Sequence, residues 1–139
     1  MSGDGQPIPT LLAFLVCETV IHDAQTQKKT VVGIFSHLLS EKVPSSANVG
    51  LYGKLVEGSG QYRLKIRLVH LKDEKLVMEA NYDANWAAPE KPLELGINLR
   101  GLPIPDFGQY EFQMFANDVY LGRAVFRVDK LPLPPSNRP

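Results

Sequence analysis

Cys17 and His22 are the first residues of this 139-residue chain whose types suggest chemistry, since a thiol beside an imidazole makes a nucleophile. Their spacing prevents it locally. Five residues apart on an extended strand, they point to opposite faces about 16 Å apart. Cys17 is therefore expected to be a small buried apolar side chain. His22, His37 and His70 fall near the ends of different predicted strands, with no H-x-H or H-x-x-x-H spacing to hold a metal. They are expected as exposed strand-end residues. Glu57, Asp73, Glu74, Asp106 and Asp118 sit in predicted turns, where some sandwiches bind calcium. No dense string of acidic ligands accompanies them, and turn formation explains them. "YRLKIRL" is a basic stripe with an aromatic start, a pattern that suits nucleic acid. Tyr82 and Trp86, in "NYDANWAAPEKP", are the candidate ligand platform: exposed, they would stack on sugar rings. The competing reading is a core tryptophan that caps one end of the fold. No glycine-rich phosphate loop opens a helix. These residues point to no catalytic set, no metal and no cofactor, and the chain is read as a non-enzyme.

Composition narrows the partners. Fifteen basic and fifteen acidic residues cancel, so there is no bulk attraction to nucleic acid or to an anionic membrane. Apolar residues make up 44% of the chain, ordinary for a globular domain of this length. The single cysteine forms no internal disulfide, which fits a reducing compartment. "LLAFLVC" resembles the end of a lipoprotein signal, but Asp4 and the lack of Lys or Arg before it argue against one. A cytoplasmic location is expected.

The elements that would position these residues are strands. No window carries apolar residues at helical spacing over three turns, whereas alternating runs bounded by turn residues recur. Eight strands are predicted, at 11–22, 28–38, 47–56, 61–71, 75–86, 92–100, 108–117 and 120–129. Strands at this spacing predict an all-β fold, an antiparallel two-sheet sandwich or a barrel. Residues 1–10 and the proline-rich tail 130–139 are read as free ends around one domain at 11–129.

Two hairpins can be registered from side-chain parity. With Lys72, Asp73 and Glu74 as the loop, Leu68 faces Met78, Ile66 faces Ala80 and Leu64 faces Tyr82. On the other side Arg67 meets Glu79 and Arg63 meets Asp83, pairs worth about 0.2–1 kcal/mol each that neutralise the basic stripe. In "GQYEFQMFANDVYLGRAVFRV" a two-residue turn at Asn117 and Asp118 would put Arg123 opposite Phe112, on the core face. A slip of one residue repairs this by pairing Tyr110 with Phe126, Phe112 with Ala124 and Met114 with Gly122. It requires a three-residue loop or a bulge near Gly122, and Val119 is poorly suited to positive φ, which favours the bulge.

The chain has more apolar positions than one core needs. Strand 11–22 is apolar on both faces, and Val69, Leu71, Val77, Phe115, Leu121 and Val125 fall on the outward parity. These six form the candidate interaction surface, for a protein partner or a second copy of the chain.

"LLAFLVCETVIHDAQTQKKTVVGIFSHL", "GQYRLKIRLV" and the closing hairpin resemble a family of small, uncharacterised bacterial proteins, a domain of unknown function. The shared pattern is an apolar strand, a carboxylate at its end (Asp23), a polar turn, and a strand ending in Gly33, Ile34 and Phe35. The likeness spans about residues 11–129. It implies a bacterial origin and an immunoglobulin-like sandwich, and it brings no activity and no functional residues. The expected function is a non-enzymatic protein-interaction or structural module, with a carbohydrate-type ligand site around Trp86 as the alternative.

Overall fold

Alternation of apolar and polar side chains suits a sheet with one buried face, and among the described residues nine strands form where it occurs. They are β1 (Thr10–His22), β2 (Lys29–Ile34), β3 (His37–Ser40), β4 (Ser45–Val56), β5 (Gly60–His70), β6 (Lys75–Trp86), β7 (Leu93–Ile104), β8 (Gly108–Ala116) and β9 (Val119–Lys130). The structure, a computed structural model, describes residues 6–132 and contains no helix among them. The free ends predicted at 1–5 and 133–139 lie outside the described residues.

The strands form a four-stranded sheet, ordered β2-β1-β4-β7, and a five-stranded sheet, ordered β3-β9-β8-β5-β6. This is an immunoglobulin-like arrangement: β4 adjoins β7 in one sheet, and β9, β8 and β5 are neighbours in the other. The start of β8 carries the matching corner. The Tyr110 hydroxyl donates to the Asp106 carbonyl at 2.6 Å and accepts from the Asp106 N–H at 3.1 Å. Between the sheets Val49, Leu51 and Leu55 face Leu64, Ile66, Leu68, Phe112, Met114 and Phe126. Burying each of these side chains contributes about 1.5–3 kcal/mol.

The predicted strand 28–38 is two strands. β2 pairs with β1 in one sheet, while β3 pairs in parallel with β9 in the other. Gly33 bends the chain at φ +68°, and Phe35 closes the corner edge-on against Phe126, with ring centres 6.0 Å apart. Parity within a run does not reveal that a strand changes sheets. β7 continues through Pro103 into the segment predicted as a loop, which an edge strand tolerates. Residues 6–9 were predicted to be free, yet they cross one end of the sandwich. Gln6 Nε2 donates to the Ser59 and Gln61 carbonyls, the Tyr62 hydroxyl donates to the Pro7 carbonyl, and Pro9 is buried.

The predicted cross-strand pairs form in both hairpins. Leu68 faces Met78, Ile66 faces Ala80 and Leu64 faces Tyr82, and the loop is one residue longer because Val77 bulges. Tyr110 faces Phe126, Phe112 faces Ala124 and Met114 faces Gly122. The slip is absorbed at Leu121, so the turn itself keeps two residues, Asn117 and Asp118, both at positive φ.

Candidate functional site

Strand β1 stays in its sheet only as far as Cys17, which pairs with Gly50. Beyond that point it leaves β4 and lies with β2 as a flap over the outer face of the same sheet. Two glycines make the approach possible. A Cβ on Gly50 would stand 2.8 Å from Cys17 Sγ and 2.9 Å from the Thr19 Cα, and one on Gly96 would stand 2.8 Å from a Val20 methyl. Asn98 of β7 then replaces a strand neighbour. Its Oδ1 accepts from the Val20 N–H and its Nδ2 donates to the Val20 carbonyl, both at 2.9 Å. This explains part of the apolar surplus of β1, of which Leu12 and Ile21 stay exposed. Leu11, Phe14 and Val16 pack on the main core, helped by a bulge at Leu12, while Val20 packs beneath the flap.

The flap seals Cys17 completely. Burial pushes its thiol up from the ordinary value, and Sγ lies 3.4 Å from the Thr19 carbonyl as donor. A protonated, enclosed thiol is a core group.

The outward side of the flap is different. The β1–β2 register pairs Thr19 with Val32 and Ile21 with Thr30 on one side of the flap, and Ile34 follows past the Gly33 bend, in register with the buried Cys17. Ile34 is 62% exposed, Ile21 52% and Val32 36%. Leu39 on β3, just past the sheet-changing corner, is exposed at 51%. Among the described residues β2 has a strand partner on one side only. Edge strands are normally guarded by charge, proline, bulges or shortness. β3 is four residues long, β6 has a bulge with Glu79 and Asp83, and β7 contains Pro103. Between Lys29 and the corner, β2 has only its Gly33 bend.

The six residues predicted as the interaction surface divide. Val77 and Leu121 are the two bulge residues, and both pack on the core. An inserted residue reverses parity, which the alternation argument could not register. Val69, Leu71, Phe115 and Val125 do lie on the outer face of the five-stranded sheet, half-buried or, for Val69, buried. Polar side chains surround part of this face, which also exposes Leu76 and Tyr120. Lys65 Nζ lies 5.9 Å from the Phe115 ring centre, and Glu111, itself buried, accepts from Arg123 at 3.0 Å and Gln113 at 2.7 Å. Arg63 and Arg67 meet Asp83 and Glu79 at 3.9 and 3.6 Å.

Trp86 is not part of an open platform. It is 3% exposed, donates its indole N–H to the Lys91 carbonyl at 2.9 Å and packs edge-on against Tyr62. Tyr82 stands apart from it, beside a crevice of about 440 Å³ between the sheet edges. Val20, His22, Lys29, Glu94, Leu95 and Ile97 also line the crevice. Next to it the Tyr52 hydroxyl donates to the Glu94 carboxylate, and burial together with that carboxylate pushes Tyr52 up to about 12.

The histidines do not converge. Among the described residues no three His, Cys, Asp or Glu side chains group as metal ligands. His22 and His37 are exposed, and His37 pairs with Asp129 at 2.5 Å. His70 departs from expectation: it is 2% exposed.

Residues 12–129 match DUF6941, a family of unknown function. The chain belongs to this family. No curated protein matches it. Among solved structures, the Pseudomonas fluorescens alkylpurine DNA glycosylase AlkC, bound to DNA containing an abasic site analog, is similar with a TM-score of 0.49 and 12% identity. That match covers 86% of this chain and 30% of the glycosylase, so the chain spans under a third of its length. An immunoglobulin-like protein of Pseudomonas aeruginosa is similar with a TM-score of 0.43 and 15% identity, over 89% of this chain and 98% of that one. Membership in DUF6941 brings no activity, and neither structural likeness is strong enough to bring one.

Proposed function

We propose that this DUF6941 chain is a non-enzymatic interaction module that binds protein through the outward side of the β1–β2 flap, with a second copy of the chain as the first occupant. The observation that carries this reading is the set of exposed β-branched side chains Ile21, Val32 and Ile34 beside a strand edge that has no partner among the described residues. Exposed apolar side chains at an open edge lose water when a further strand is added, and the ladder supplies main-chain hydrogen bonds. The buried, protonated Cys17 and the separated histidines support a binding role over a catalytic one.

Light scattering across a concentration series tests the reading on the wild type and Ile34→Lys. The wild type is expected to gain mass toward a dimer, with Ile34→Lys remaining a monomer. A wild type that stays monomeric, and whose captured proteins are all retained by Ile34→Lys, contradicts it.

A further inference from the structure

His70 ends β5 in register with Lys75 of β6 and Tyr110 of β8. Its ring is buried, and both nitrogens meet acceptors. Nδ1 lies 2.9 Å from the Asp73 carboxylate in the 71–74 turn, and Nε2 lies 2.8 Å from the Phe107 carbonyl at the 105–107 corner. A carbonyl only accepts, so Nε2 carries a proton. An ionised carboxylate only accepts, so this pair of contacts suits a ring protonated on Nδ1 as well, an imidazolium. Its surroundings suit that charge. The Tyr110 ring centre is 4.8 Å away, and Asp106 adds negative charge from the corner. The Lys75 side chain, which starts across the ladder, is exposed, and its main-chain N–H bonds the same Asp73 oxygen at 3.2 Å.

We propose that His70 is a protonation latch that ties the 71–74 turn to the 105–107 corner as an imidazolium and releases the turn when it loses a proton. The proton leaves Nδ1 for solvent. Nε2–H keeps its bond to Phe107, while the Nδ1 lone pair is left facing the Asp73 carboxylate, two acceptors in contact. The released turn carries Leu71 and Glu74, which line an outer-face hollow with Arg67, Val69, Glu111 and Gln113. The latch thus puts the shape of that hollow under the control of pH.

Burial by itself lowers the His70 value, but the Phe107 carbonyl and the bond and charge of Asp73, with Asp106, outweigh it and the net shift is upward. Asp73 is correspondingly held below the usual carboxylate value, first by its bond to His70. A folded value above the unfolded one gives stabilisation that is complete below about pH 6.5 and is lost as pH rises through the folded value.

Nuclear magnetic resonance on the wild type and Asp73→Asn tests the latch. The His70 ring is expected to titrate above the ordinary value of about 6.5, and lower in Asp73→Asn than in the wild type. Exchange of the Lys75 amide, corrected for intrinsic rate, is expected to rise about tenfold or more through the wild-type titration. Thermal midpoints give a second readout. The wild type should lose stability as His70 deprotonates, whereas His70→Phe, which keeps a ring against Tyr110, should not follow that trend. A His70 ring that titrates at or below the ordinary value, or titrates with no change in Lys75 exchange, overturns the proposal.

Discussion

Asn98 shows how much one polar side chain can determine. Its amide satisfies both main-chain groups of Val20 and accepts from the Thr19 hydroxyl at 3.2 Å, so it does for the flap what a neighbouring strand does elsewhere. Asn98→Ala leaves two partly buried backbone groups without partners, at about 1–3 kcal/mol for each such group. The expected result is a lower urea midpoint and faster exchange of the Val20 amide, with the amides of Phe112 and Ile66 unchanged below global unfolding. Little of this was legible in the sequence, because Asn98 sits 78 residues from Val20. The interior glycines were the available signal. Gly50 and Gly96 interrupt otherwise good strands, and such glycines mark close backbone approaches. Trp86 was ambiguous for a different reason: composition does not say which end of a strand lies over the core, and only the fold places its indole beneath Gly58. His70 was equally opaque, since its two acceptors come from a turn and a corner joined only by the fold.

Most of the strands were readable, and so was the register within two hairpins. Leu64, Ile66 and Leu68 alternate with Arg63, Lys65 and Arg67 so strictly that a single register buries one set and pairs the other. The misassigned residues are those where an element departs from regularity. Val77 and Leu121 change faces at bulges, and the 28–38 run changes sheets at Gly33. Alternation reports which side of a strand is greasy and does not report which sheet the strand belongs to. The β8–β9 turn shows the same local physics in a form that can be tested. Asp118 adopts φ 67° at the second position of a two-residue turn, where glycine fits without strain, and its ion pair with Lys65 is exposed. Asp118→Gly is therefore expected to stabilise the chain by about 0.5–1 kcal/mol, read as a higher urea midpoint with an unchanged slope. Asn117→Gly should gain less or lose, because Asn117 Oδ1 accepts from the Arg63 N–H at 2.9 Å.

Across the whole molecule, the two outer faces differ in kind. The five-stranded sheet sets its own arginines, lysine and carboxylates over part of its outer apolar face, where Leu76 and Tyr120 still stay exposed. The four-stranded sheet folds its own hairpin across itself and presents the back of that hairpin to solvent. Sequence parity favours the first face as the candidate surface, whereas the proposal rests on the exposed side chains and the strand edge of the second. The choice between them is what the functional reading depends on. Hydrogen exchange measured on dilute and concentrated protein distinguishes the faces directly. Protection gained across Lys29–Ile34 on concentration, with none gained at Val69, Phe115 or Val125, is the predicted result. Protection that appears at those three residues while Lys29–Ile34 stays unchanged would contradict the account.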